Sequence, residues 1–160
     1  MHRTNASAPR RLLGAATSIG IAVALTLLGT APAQAAVAPV FCDGVPATII
    51  ADSIGNTTNG TLGSDVIVTF DGDDVIWAKE GNDLICSGGG NDDINPSFGN
   101  DTVYGEAGDD TLGGSAGDDI LYGGPGNDTL MAGTGDDFAD GGPGTDLCRL
   151  FDLALNCERN

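Results

Sequence analysis

A single register of glycine and aspartate runs through the middle of this chain and restricts what it can fold into. A Gly-x-Asp triplet recurs every nine residues, from Gly63-Ser64-Asp65 to Gly144-Thr145-Asp146, in ten copies without a break. Two residues after each aspartate comes a small or apolar side chain. These ten positions are Ile67, Ile76, Ile85, Ile94, Val103, Leu112, Leu121, Leu130, Ala139 and Cys148. A strict nine-residue period predicts a solenoid of short stacked units.

The most complete copy is the stretch 123–131, which reads Gly-Gly-Pro-Gly-Asn-Asp-Thr-Leu-Met. It has the form G-G-x-G-x-D-x-U-x, where U is apolar. Over roughly residues 60–148 the chain resembles the RTX, or haemolysin-type, calcium-binding repeat proteins. The Gly-x-Asp triplet and the apolar position hold throughout, whereas the leading Gly-Gly pair is complete only at 123–124 and 141–142.

The resemblance implies an all-β fold, a right-handed parallel β-roll of about ten nine-residue repeats with two repeats per coil. Six residues of each repeat form a turn, and three form a short strand whose middle residue faces the core. Because two repeats complete a coil, turns that are 18 residues apart lie on the same side. The aspartates then form a first column of Asp65, Asp83, Asp101, Asp119 and Asp137, and a second column of Asp74, Asp92, Asp110, Asp128 and Asp146.

The family resemblance implies Ca²⁺ between successive turns of a column, held by aspartates of both turns and by backbone carbonyls. That ligand set suits calcium, which takes about six to eight oxygen ligands. Four gaps in each column give at most about eight full sites. The early turns have Thr69-Phe70, Ala78-Lys79 and Pro96-Ser97 in place of Gly-Gly, and Lys79 is expected to oppose an ion. The sites from Asp101 to Asp146 are therefore expected to be the best.

Aspartate and asparagine are also common in turns for local hydrogen bonding alone. That interpretation competes with a ligand role at the sixth position, and it is the expected role at the fifth position, where Asn82, Asn91, Asn100 and Asn127 lie. Stacked aspartates about 4.8 Å apart would repel by roughly 3 kcal/mol per neighbouring pair at an effective dielectric constant near 20. Burial of one inward apolar residue per repeat stabilises the fold too little to offset that repulsion and the entropy cost of ordering nine residues. We therefore expect the repeats to be largely disordered without calcium and to fold as calcium binds.

Residues 1–35 have the features of a signal peptide. Arginines at positions 3, 10 and 11 precede an apolar stretch from Leu12 to Gly29, and Ala33-Gln34-Ala35 matches the small-x-small cleavage pattern. A membrane anchor is the alternative, because the stretch of about 18 residues is near the lower limit for a bilayer span. Whether the signal is of the Sec or the twin-arginine type stays open. The expected location is extracellular, with no stable membrane insertion after cleavage.

The part after residue 35 is strongly acidic. It contains all 23 acidic residues but only three basic ones, a net charge of −20. Such a surface repels nucleic acid and anionic membranes and attracts multivalent cations. High charge with few aromatic residues also occurs in disordered chains, and metal binding decides between the two states.

The segments that flank the repeats are predicted to be caps. Residues 36–59 are expected to form an N-terminal cap or degenerate coil, because steps of nine back from Ile67 reach Thr58 and Ile49. The outward positions of the first three repeats are apolar, including Val68 and Trp77, and either the cap covers them, or they reflect β-propensity, or they bind a partner. Residues 149–160 are expected to be a C-terminal cap, in which Leu150, Phe151, Leu153 and Leu155 fold over the last coil.

Four cysteines, Cys42, Cys86, Cys148 and Cys157, indicate two disulfides in an oxidising compartment. Four cysteines allow three connectivities. Cys42–Cys86 with Cys148–Cys157 is the pairing that would fasten both ends of the repeat block.

The sequence favours a non-catalytic secreted calcium-binding protein with a structural or surface role. Enzyme activity is not expected, because the only histidine is His2 and no G-x-S-x-G motif is present. An extracellular interaction or adhesion module, using Trp77 or the pair Tyr104 and Tyr122, is the alternative, although plain cross-strand packing also explains the tyrosines. An ice-binding solenoid is remote, because no regular Thr-x-Thr ladder occurs. The partner of such a module cannot be read from the sequence.

Overall fold

The computed structural model describes residues 38–51 and 55–158, and in these ranges the regular structure consists of β-strands. Sheet 1 contains β3 (Ile49–Ile50), β5 (Val66–Asp71), β7 (Leu84–Gly89), β9 (Thr102–Tyr104), β11 (Ile120–Tyr122), β13 (Phe138–Asp140) and β15 (Leu153–Leu155). Sheet 2 contains β4 (Thr57–Asn59), β6 (Val75–Glu80), β8 (Asp93–Phe98), β10 (Thr111–Ala116), β12 (Thr129–Thr134) and β14 (Leu147–Arg149). A separate antiparallel hairpin joins β1 (Phe41–Cys42) to β2 (Val45–Pro46). The predicted signal peptide lies outside the described residues.

Consecutive strands from β3 to β15 alternate between the two sheets, and neighbours within a sheet are parallel. The pairing offset is 18 residues, as in Leu112 with Leu130 and Ile67 with Ile85. This confirms the all-β fold: the chain forms a β-roll with two repeats per coil. It has about six coils rather than the five of ten repeats, because the flanking segments add strands. Ile49 pairs with Ile67 and Thr58 with Ile76, in the predicted register.

The inward column predicted from the sequence forms the core. Side chains alternate between the two faces of a strand, so the middle residue of each short strand lies between the sheets. All ten predicted positions are buried, and Ile67, Leu112 and Leu130 are fully inaccessible to solvent. Polar outward neighbours, such as Thr111 and Thr129, flank this narrow core.

The fourth turn position requires glycine because neighbouring coils approach there. At Gly108 the backbone has φ +141°, and a Cβ atom would collide with the carbonyl oxygen of Gly90 in the preceding coil. Gly99 has the same relation to Gly81. The glycine of the triplet therefore reflects the spacing of the coils and, in seven of the ten copies, also a left-handed backbone.

Residues other than glycine also take the left-handed conformation at the second turn position. These are Phe70 (φ 111°), Lys79 (85°), Ser97 (83°), Glu106 (68°) and Ser115 (79°). These five turns, which lack Gly-Gly, thus keep a left-handed backbone at the second position, at a cost of about 1–2 kcal/mol for each such residue. The sequence departs from the repeat there, but the turn conformation does not.

The described residues before the repeats cover part of the outer face of sheet 1. Cys42 is bonded to Cys86 of β7, and with Val68 the two cysteines form a small buried cluster outside the main core. Trp77 lies on sheet 2 and remains 44% exposed. Of the three alternatives for the apolar early face, coverage by the cap holds for Val68 but not for Trp77, because successive strands belong to opposite sheets.

The segment after the repeats adds the last strand of sheet 1 and is joined by the predicted Cys148–Cys157 disulfide. Ala154 and Phe151 pack against the core, whereas Leu150 and Leu153 are 78% and 54% exposed. The expected packing of the leucines, which include the exposed Leu155, is wrong. They are the outward neighbours of the residues that face inward. In the part of the chain that the structure describes, no helix is long and apolar enough to cross a membrane.

Candidate metal-binding columns

The ten sixth-position aspartates form the two columns that the 18-residue spacing predicts. Each lies at the end of its turn, directly before a strand, as Asp110 does before β10. All ten side chains are buried, with at most 7% of their surface exposed. Buried carboxylates are rare without compensating partners, so their contacts determine what the columns can do.

One carboxylate oxygen is satisfied by the backbone of the preceding coil in eight of the ten stacked aspartates. The N–H of each of the first eight aspartates donates to Oδ1 of the aspartate 18 residues later, at 2.8–2.9 Å. In the middle of the first column, for example, Asp101 donates to Asp119 at 2.9 Å. These bonds hold every side chain in one orientation along its column.

The other carboxylate oxygen is buried and has no hydrogen-bond partner in eight of the ten residues. They are Asp83, Asp92, Asp101, Asp110, Asp119, Asp128, Asp137 and Asp146. An unsatisfied buried charged oxygen costs several kcal/mol unless a counter-charge is present. This uncompensated row is the strongest local evidence for a bound cation.

These free oxygens border the carbonyl of the next coil. A methyl group placed on Gly105, the first residue of its turn, would lie 2.6 Å from Asp110 Oδ2 and 2.8 Å from the carbonyl oxygen of Gly123. A methyl group on Gly114 would lie 2.7 Å from Asp119 Oδ2 and 3.2 Å from the carbonyl oxygen of Ala132. Carboxylate and carbonyl oxygens from adjacent coils therefore line one small space beside the first turn residue.

Burial and mutual repulsion disfavour the ionised form of these aspartates. Burial, followed by the charges of neighbouring aspartates, raises the pKa of Asp101, Asp119 and Asp128 from 3.8 to about 6. The same causes raise the pKa of Asp110 to about 7. A divalent cation between the coils would reverse this preference, because it attracts the ionised form.

In the early turns, side-chain hydroxyl groups donate to the first-position carbonyl oxygens and to an aspartate Oδ2. The Thr69 hydroxyl donates to the Ser87 carbonyl oxygen at 2.7 Å, and the Ser87 hydroxyl donates to that of Gly105 at 2.8 Å. Thr61 donates its N–H and hydroxyl to Asp65 Oδ2, at 2.7 and 2.9 Å. The early turns therefore satisfy some of their oxygens without an ion.

Lys79 also reaches a first-position carbonyl, with its ammonium 2.6 Å from the oxygen of Gly60. The sequence suggested that this positive charge would oppose an ion, and the contact shows where the charge lies. A tethered ammonium on that oxygen provides a positive charge at the start of the first column.

From the sequence alone, no role was assigned to the hydroxyl groups at the first turn position, although the residue type there is visible in the sequence. The first turn position is glycine at 60, 105, 114, 123 and 141, but Thr69, Ala78, Ser87, Pro96 and Ala132 have a side chain there. Every one of these residues is buried. A hydroxyl at this position marks a turn with an internal donor, and a glycine leaves the neighbouring oxygens without a side chain beside them.

The fifth position differs from the expected local turn bonding. The Asn82 side chain accepts from the N–H of Asn100 in the next coil at 3.0 Å, and Asn91 accepts likewise from Asp109 at 2.9 Å. This second ladder runs in the opposite direction to the bonds of the sixth position. Fifth-position side chains thus join coils rather than stabilise their own turn.

The donor set fits calcium and disfavours softer metals. The polar atoms nearest to Gly105, Gly114 and Gly123 are carboxylate and carbonyl oxygens, and hard oxygen ligands are those that calcium prefers. Within the described ranges, no group of three or more histidine, cysteine, aspartate or glutamate side chains could hold a metal. An ion between coils must therefore take a large share of its ligands from backbone carbonyls.

The fold and its carboxylate columns define a parallel β-solenoid of calcium-binding type. The model of the protein family described as "RTX calcium-binding nonapeptide repeat" matches the chain in four overlapping copies, over residues 59–94, 87–121, 96–130 and 122–149. These copies cover more than half of the chain, which therefore belongs to this family of calcium-binding repeat proteins. No curated protein and no solved structure matches the chain.

Proposed function

We propose that this chain is a secreted, non-catalytic calcium-binding protein whose repeats fold as several ions bind between stacked turns. The proposed ligands are the ten aspartates of the two columns, together with backbone carbonyls of adjacent coils. Its role is structural and extracellular. The acidic composition and the two disulfides support an oxidising location outside the cell.

One observation carries the proposal: eight buried carboxylate oxygens have no donor. At Asp110, Asp119, Asp128 and Asp146 such an oxygen borders a carbonyl oxygen of the next coil. Hydrogen bonding within the described residues leaves these oxygens uncompensated, and a divalent cation would compensate several of them together. Folding and calcium binding are therefore coupled, because the folded form without metal retains the repulsion.

The sites are not equal along the chain. Asp110, Asp119, Asp128 and Asp146 combine a free buried oxygen with a glycine at the first turn position. Their turns have the most room for an ion, and we assign the strongest binding to them. The early turns, with hydroxyl donors and a lysine, contribute weaker binding or none.

The test is a calcium titration of residues 36–160, followed by far-UV circular dichroism and isothermal calorimetry. A cooperative gain of strand signal, together with binding of several ions, is expected. Magnesium at the same concentration is the control, because it requires a more rigid octahedral geometry and releases its water reluctantly. Binding without structural gain, or no binding at all, would refute the proposal.

The second candidate is an extracellular interaction or adhesion module. The exposed Trp77 on sheet 2 favours it, because a large aromatic side chain at a surface is a common anchor for a partner. Under this proposal Trp77→Ala leaves calcium stoichiometry unchanged but abolishes attachment to the surface that the parent protein binds. Equal attachment of both proteins would exclude a role for Trp77.

A further inference from the structure

The segment after the last Gly-x-Asp triplet reproduces part of the repeat geometry without its sequence. Strand β15 pairs with β13 at an offset of 15 residues, so that Phe138 lies opposite Leu153 and Asp140 opposite Leu155. The usual offset is 18, and the three missing residues come from the turn before Asp152. Asp152 therefore precedes β15 as Asp137 precedes β13.

Asp152 makes the backbone contact that a repeat aspartate makes. The N–H of Asp137 donates to Asp152 Oδ2 at 3.2 Å, as the N–H of Asp119 donates to Asp137 Oδ1 at 2.9 Å. Asp137 is 3% exposed, and its own Oδ2 has no partner. The first column thus continues beyond its fifth member, with a sixth carboxylate, on the exposed Asp152, that accepts from the residue whose own Oδ2 is uncompensated.

Asn156 takes the place of the first turn glycine in the second column. Gly141 donates its N–H to the Leu155 carbonyl at 3.0 Å, as Gly123 donates to that of Asp140 at 2.9 Å. Asn156 therefore occupies the position directly after β15 that Gly141 occupies directly after β13. A methyl group on Gly141 would touch the carbonyl oxygen of Asn156 and lie 2.8 Å from Asp146 Oδ2.

The geometry at Asn156 is held in three ways. Its backbone has φ +49°, a left-handed conformation that asparagine tolerates better than most residues. Its side-chain amide donates to Asp140 Oδ1 at 2.6 Å. The next residue, Cys157, is bonded to Cys148 in β14. The carbonyl that borders Asp146, which is 2% exposed with a free Oδ2, is therefore fixed in position.

We propose that the segment 150–157 supplies ligands for two terminal calcium ions, one between Asp137 and Asp152 and one between Asp146 and the Asn156 carbonyl. These two positions lie beyond the gaps between repeats, because one side of each comes from a segment without a Gly-x-Asp triplet. The inference rests on the proposed function, since it extends the same columns by one step. It makes the C-terminal segment part of the binding surface as well as part of the fold.

The test compares matched variants of residues 36–160 by calorimetric calcium stoichiometry and affinity. Asp152→Asn keeps an oxygen for the Asp137 N–H but loses the charge. Its control is Asp136→Asn, the same change at an exposed fifth position of the neighbouring turn. Asn156→Val and Asn156→Gly both lose the amide bond to Asp140, but only valine resists a positive φ.

Asp152→Asn and Asn156→Val are each expected to bind one ion fewer than the parent, or to bind one ion about 10-fold or more weakly. Asp136→Asn is expected to match the parent, and Asn156→Gly to lose less calcium affinity than Asn156→Val, because glycine keeps the positive φ. If all four variants bind as the parent does, the terminal sites do not exist and the proposed function still stands. If the parent itself binds no calcium, the proposed function and the terminal sites both fail.

Discussion

Replacing Ser87 with glycine should create a calcium site in an early turn. The stretch 87–92 reads Ser-Gly-Gly-Gly-Asn-Asp, and Ser87→Gly would complete the first six positions of the repeat. The Ser87 hydroxyl is fully buried and donates to the Gly105 carbonyl oxygen at 2.8 Å. Asp92 Oδ2, in the same turn, is buried without a partner. Removing the hydroxyl opens the space and leaves two oxygens that an ion can bridge.

The magnitude follows from the contact that is lost. Deleting the donor of a buried hydrogen bond and leaving its acceptor unsatisfied costs about 1–3 kcal/mol. Glycine in place of serine adds roughly 0.5–1 kcal/mol of backbone entropy. At low calcium the variant should therefore be less stable than the parent by about 2–4 kcal/mol. Each additional ion bound on folding then returns about 1.4 kcal/mol for every tenfold rise in free calcium above its dissociation constant.

The assay is urea unfolding, followed by Trp77 fluorescence, at several calcium concentrations that all keep the chain folded. The free energy of unfolding of Ser87→Gly should rise more steeply with the logarithm of calcium concentration than that of the parent. Calorimetry should count one more ion. Ser115→Gly is the control, because that exposed residue has φ +79° and its turn already has a glycine at the first position. It should stabilise the fold by about 1 kcal/mol without a change of slope. Parallel slopes for Ser87→Gly and the parent would refute the reasoning.

Three further results are expected. Gly108→Ala should destabilise the repeat region by more than about 2 kcal/mol in urea unfolding, since its Cβ would strike the Gly90 carbonyl and φ is +141°; unchanged stability would contradict the close approach of the coils. Burial raises the pKa of Asp110 from 3.8 to about 7, so the folded state binds this proton more tightly than the unfolded state. The calcium-free fold should therefore gain stability as pH falls from 8 through 7 towards 4, while calcium affinity weakens over pH 8 to 6; a flat affinity profile by calorimetry would count against this. Cys42→Ser should lower the melting temperature in calcium, because the disulfide to Cys86 closes a loop with a sequence separation of 44 and its removal costs about 2–4 kcal/mol of unfolding free energy. An unchanged melting curve would show that the hairpin is held by packing alone.

The periodic part of the fold could be predicted because its cause is local and repeated. Every ninth residue faces the core, so the apolar column is readable from the sequence, and the ladder of parallel strands fixes the offset at 18. The same period placed the aspartates in two buried columns. The disulfide pairing was one of three possibilities, and the structure contains Cys42–Cys86 and Cys148–Cys157.

The expectations that failed depended on which sheet or coil lay beside a residue. Trp77 was grouped with Val68, yet the two side chains lie on different sheets and only Val68 is covered. Fifth-position asparagines such as Asn82 bond to the next coil rather than to their own turn. Leu153 was expected to pack inward, but the shortened final turn brings Ala154 to the core position. None of these relations is visible within a nine-residue window.

The repeat, the inward column and the stacking of the aspartates follow from the amino-acid sequence, because a strict period repeats one local geometry along the chain. Which oxygens lack a donor depends on contacts between coils, so it is visible in the folded structure alone. The hydroxyl groups of Ser87 and Thr69 donate a hydrogen bond to a carbonyl oxygen of the next coil. Oδ2 of Asp110 and of Asp128 accepts no hydrogen bond. The structure likewise placed Asp152 and Asn156 beside the columns, at an offset of 15 that breaks the period. Whether a buried oxygen can bind calcium depends on its neighbours in the adjacent coil, and those neighbours are 15 to 18 residues away in the sequence.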